Sequence, residues 1–108
     1  MIRLLILIIF LAQPATAKTG EVLLGTCKAS EAANELAAGF CLGTVASFFQ
    51  VMDGGNSING MTACFPSSIG IGEVIDAVVE RLENSPALLE FNIASAVPIA
   101  LMLEFPCE

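Results

Sequence analysis

The sequence predicts an all-α domain, a small disulfide-stapled helical bundle of about four helices. Two observations predict its class. Apolar residues recur at helical spacing, and no alternating run of β-branched residues stands between turn signals. Four cysteines lie in a chain of 108 residues, an even count that reads as a disulfide framework in a short exported chain.

Export is written in the first seventeen residues. Arg3 precedes the apolar run Leu4–Ala12, Pro14 ends that run, and Ala15 and Ala17 form an A-x-A cleavage site. These are the three regions of a secretory signal peptide. The run is about half the ~20 residues a membrane span needs, so no membrane anchor is expected after cleavage. Residues 18–108 then form one mature domain. Arg3 leaves with the leader and no acid does, so the formal charge of −7 becomes −8.

The helices follow in order. Glu21 to Lys28 makes a short helix holding Cys27. Ser30 is a good N-cap for a further helix through Ala38, with Gly39 as its stop. A central helix runs from Phe40 to about Met52. Leu36 to Met52 carries no charge, and a helix apolar on every side is expected to be buried. Gly43 and Ser47, one turn apart on this helix, share a face where another helix can approach closely. The stretch Asp53-Gly54-Gly55-Asn56-Ser57-Ile58-Asn59-Gly60 is a loop, because Gly-Gly and Asn-Gly favour positive-φ turns.

Ile71, Val74, Ile75, Val78, Val79 and Leu82 then form one apolar stripe of a helix ending near Asn84. Glu73 stands where a capping-box carboxylate would sit after Gly70. Ser85 is the expected N-cap and Pro86 the first residue of a last helix to about Leu103. Leu88, Phe91, Ser95 and Met102 would line one side, with Leu89, Ile99 and Leu103 beside them, and Pro98 should kink it.

Four cysteines allow three pairings. Cys64 precedes the Ile71 helix and Cys107 follows the Pro86 helix, so antiparallel packing of the two brings these residues together. Cys27 ends one helix and Cys41 begins the next. The expected bonds are Cys27–Cys41 and Cys64–Cys107. Zinc is disfavoured because no close C-x-x-C pair exists.

Composition excludes most chemistry. Histidine is absent, so there is no usual neutral-pH base and no imidazole ligand. The serines lack a partner base, and Lys18 and Lys28 lie near the start of the mature chain. The glycine loop lacks the acidic ligands of an EF-hand. No enzyme activity, cofactor or metal is expected, and a charge of −8 repels nucleic acid. Glu73, Asp76, Glu80 and Glu83 share the polar face of the Ile71 helix, either as a solvated face or as a docking surface for a basic partner.

One ordered set of residues is more specific. It comprises Cys27, Cys41-Leu42-Gly43, Cys64-Phe65-Pro66, the run Val78 to Pro86, and Phe105-Pro106-Cys107. This set resembles the Rap/Tai-type immunity proteins, which act against type VI secretion amidase effectors, and it spans nearly all of the mature chain. The resemblance implies a small helical periplasmic protein, often a homodimer, that blocks a peptidoglycan-cleaving amidase by placing a protruding loop in its cleft. By position, that loop is Asp53, Gly54, Gly55, Asn56, Ser57, Asn59 and Gly60. Two other functions fit the same composition: a periplasmic acid-stress chaperone, and a carrier of an apolar ligand inside the bundle.

Overall fold

The computed structural model describes residues 18–32 and 34–108; the expected leader lies outside them. Among the described residues, five helices form the fold: α1 Gly20–Ser30, α2 Glu35–Asp53, α3 Ile71–Asn84, α4 Pro86–Glu90 and α5 Ile93–Glu104. α1 packs along α2, α3 packs on α5, and both disulfides have the expected pairing.

α1 begins at Thr19, whose hydroxyl accepts from the Val22 amide. Glu21 in its first turn and Lys28 in its last oppose the partial charges of the helix ends. Ser30 is the last residue of this helix, not the cap of the next, and its hydroxyl donates to the Cys27 carbonyl at 2.6 Å. Asn34 caps α2 instead, accepting from the Ala37 amide at 3.1 Å. Gly39 does not stop a helix but lies inside α2. Asparagine caps as well as serine, and one interior glycine costs only about 1 kcal/mol, so a single long helix forms.

α2 is long and apolar enough, by length and composition, to cross a membrane. Here it lies against α1, α3 and α5. Cys41, Val45 and Met52 are buried, and Cys41 bonds Cys27 with a Cα–Cα distance of 5.0 Å. The uncharged stretch predicts burial on every side, but burial holds for one face only, and Leu36 is 86% exposed. The neighbouring helices are too few to surround a helix of nineteen residues.

α3 forms as its stripe requires. Val74, Val78 and Leu82 are fully buried, with Ile71, Ile75 and Val79 packed beside them. Gly70 is its N-cap, with no side-chain capping bond. Ser85 likewise makes no side-chain cap to α4.

The expected last helix is broken near Phe91, seven residues before Pro98. Asn92 caps α5 through its side chain, which accepts from the Ser95 amide at 3.0 Å. The break is held by the start of the chain. The Gly20 amide donates to the Phe91 carbonyl and the Ile93 amide to the Lys18 carbonyl, each at 2.9 Å. A capping asparagine competes locally with continued helix, and these two bonds decide the outcome. The break resets the helical phase. Phe91 and Leu103, expected inward, are about half exposed; Ala96, Val97, Pro98, Ala100 and Leu101 form the buried side of α5.

Cys64–Cys107 closes the far end of the α3–α5 pair, and the Cys64 amide donates to the Phe105 carbonyl at 2.8 Å. Phe49, Phe65 and Phe105 stack there in sequence, with ring centroids 4.7 and 4.9 Å apart. By chain entropy the bonds contribute about 3 kcal/mol for Cys27–Cys41 and about 4 for Cys64–Cys107.

Candidate partner-binding site

The Asp53–Gly60 loop leaves the end of α2 and is fixed by its own chemistry. Gly54 ends the helix and Gly55 follows at φ 87. The Asn56 side chain reaches back to donate to the Val51 carbonyl at 3.3 Å. Asn59 and Gly60 both take positive φ, 53 and 79. Ile58 and Met61 exchange two backbone hydrogen bonds across them, at 3.0 and 2.9 Å. This is a type I′ turn, the geometry that Asn-Gly favours most. Ile58 and Met61 pack on the core, while Gly54, Gly55, Asn56, Ser57, Asn59 and Gly60 remain exposed. The loop is an outward polar turn on an apolar base.

One further bond ties the loop to a distant element. The Asn59 amide group donates to the Ala94 carbonyl of α5 at 3.3 Å. That carbonyl stands one turn before Pro98, which has no N–H to give it.

Glu73, Asp76, Glu80 and Glu83 are all exposed on α3. They are not equivalent. Glu83 pairs with Lys28 of α1 at 2.9 Å, and this contact raises the Lys28 pKa above its ordinary 10.5. Glu73, Asp76 and Glu80 make no ion pair among the described residues. Arg81 turns to the other side and binds Glu104 at 2.9 Å. Among the described residues, no hydrogen bond or ion pair joins the loop to this acidic face, so they are two separate surfaces.

A third feature was not foreseen. A cleft of about 540 Å³ opens between α1 and the start of α2, walled by Val22, Gly25, Leu36, Ala37 and Phe40. The Lys18 ammonium stands 4.8 Å from the centre of the Phe40 ring, a cation–π distance. The cleft is at the surface, whereas an apolar-ligand carrier would hold its cargo within the bundle. Its signal in the sequence is Leu36, an apolar residue two positions after the capping Asn34. Among the described residues, no group of three His, Cys, Asp or Glu is placed to hold a metal ion.

Fold and site together define a small, disulfide-bonded, all-helical protein that presents a preformed loop. The chain belongs to the Rap1a immunity protein family, whose family model matches residues 19–107. Immunity proteins of this kind bind effector proteins of secretion systems, so the class of partner is a protein. Neither a curated relative nor a solved structure matches the chain.

Proposed function

We propose that this is an exported immunity protein that inhibits a peptidoglycan amidase effector by seating the Asp53–Gly60 loop in the enzyme's cleft. The preformed turn carries the reading. A loop whose unusual φ values are assigned to Gly55, Asn59 and Gly60 has little conformational entropy left to lose on binding. It projects polar groups from an apolar base, a shape suited to filling a concave site.

Glu73, Asp76 and Glu80, unpaired among the described residues, would steer a basic amidase toward the complex without contributing most of its affinity. The leader and two disulfides support a periplasmic site of action, where the effector attacks the wall. The uncovered face of α2, with Leu36, Gly39 and Gly43, supports a homodimer, since two acidic copies meet there without opposing charges.

The test is peptidoglycan hydrolysis by any amidase encoded beside this chain, with and without the purified protein. Stoichiometric inhibition, lost when residues 54–60 are replaced by a short glycine-serine linker, is the expected result. Full inhibition by the linker variant would refute the loop mechanism, and absence of binding would refute the amidase reading.

A further inference from the structure

Pro98 lies within α5, fully buried and one turn after Ala94. A helix ordinarily satisfies the carbonyl at i−4 with the amide at i; proline has no such amide. The Ala94 carbonyl is met instead by the side chain of Asn59, thirty-five positions earlier, at 3.3 Å. Asn59 is also the non-glycine residue in the loop with positive φ, at 53, and it is the first central residue of the type I′ turn. One residue thus performs two tasks. Its backbone shapes the turn, and its side chain fastens the turn to a helix that has a vacant acceptor because of Pro98.

We infer that Pro98 and Asn59 form a latch that holds the Asp53–Gly60 loop in its presented conformation. Pro98 acts as a positioning residue: it touches no partner, and it keeps the Ala94 carbonyl open to the Asn59 amide. The importance of the latch for inhibition rests on the loop mechanism proposed above; the latch itself does not.

Reporters are built into the turn. The Ile58 and Met61 amides bond across Asn59-Gly60, so their hydrogen exchange reads the closure of the turn directly. The experiment measures these two amides in the oxidised protein and in Asn59→Asp, Asn59→Gly and Pro98→Ala. Asn59→Asp retains tolerance of positive φ but lacks the donor; Asn59→Gly does the same without adding charge. Both should exchange about three- to tenfold faster at Ile58 and Met61, the effect of losing one ordinary hydrogen bond. Pro98→Ala supplies an amide that takes the Ala94 carbonyl into the helix, and the same two sites should speed up. Adding Asn59→Gly to Pro98→Ala should then produce no further increase, the coupling expected of one interaction removed from either end.

Unchanged exchange at Ile58 and Met61 in both Asn59 variants overturns the latch. Faster exchange with additive effects in the double variant overturns the role of Pro98. Faster exchange with undiminished inhibition of the amidase upholds the latch and overturns its importance for inhibition, whereas the loop mechanism itself falls only if the linker variant still inhibits.

Discussion

Two glycines of α1 should respond in opposite directions to the same substitution. Gly20 opens the helix, and a Cβ added there would run into the Leu88 carbonyl, with the Ala96 methyl and a Leu82 methyl both at 3.3 Å. Gly25 lies one and a half turns on, and a Cβ there meets nothing within 4 Å. Helix propensity alone favours alanine at both. At Gly25 that preference should prevail and Gly25→Ala should stabilise by about 0.5–1 kcal/mol. At Gly20 the backbone must retreat. Overpacking of this kind costs about 1–3 kcal/mol, and the retreat strains the Gly20 amide bond to Phe91 as well. For a domain of this size each kcal/mol moves Tm by about 4–8 °C. Thermal unfolding of the oxidised protein should therefore place Gly20→Ala at least about 4 °C below wild type and Gly25→Ala above it. A Gly20→Ala protein as stable as wild type would show that the α1–α4 contact is not as close as described.

Other perturbations test separate parts of the structure. Replacing Cys64 and Cys107 with alanine should cost about 4 kcal/mol in urea unfolding, mostly chain entropy, because both residues are exposed and little packing is lost. Reversing the charge of Asp76 and Glu80 to lysine should slow association with a basic effector about tenfold at low salt, with Tm little changed; stopped-flow rates insensitive to both charge and salt would remove the steering role. Leu36→Asp should leave the Tm of the dilute monomer unchanged, because the side chain is 86% exposed there, yet weaken self-association at least tenfold. Sedimentation that gives one dimer constant for both proteins would exclude this face as the interface.

The parts of the fold legible in the sequence are those governed by short-range rules. The α3 stripe needed only helical period, and Val74, Val78 and Leu82 are buried as that period requires. Asn59-Gly60 needed only the φ preferences of two residue types, and it forms the turn those preferences describe. The disulfide pairing followed from helix order, which survived errors in the helix boundaries. What escaped depends on distant partners. The break near Phe91 is settled by two backbone hydrogen bonds, from the Gly20 amide to the Phe91 carbonyl and from the Ile93 amide to the Lys18 carbonyl, across more than seventy positions, and Pro98 is the more conspicuous local signal. The exposure of α2 depends on how many helices are available to cover it, which its own residues do not encode. Asn59 appeared as a turn residue, and its second bond to Ala94 required knowing that the loop returns to α5.

The pairing of Lys18 and Gly20 with Phe91 and Ile93 also governs the order of assembly. A chain synthesised from its N-terminus delivers α1 early and the residues that anchor it late. Until residues 91 to 93 arrive, the Gly20 amide has no carbonyl to meet and the Lys18 carbonyl no amide. Closing so long a loop is entropically slow, and the Cys64–Cys107 bond likewise awaits a cysteine 43 positions further on. The seam between the start of α1 and the α4–α5 break therefore closes only when segments more than seventy positions apart are both available.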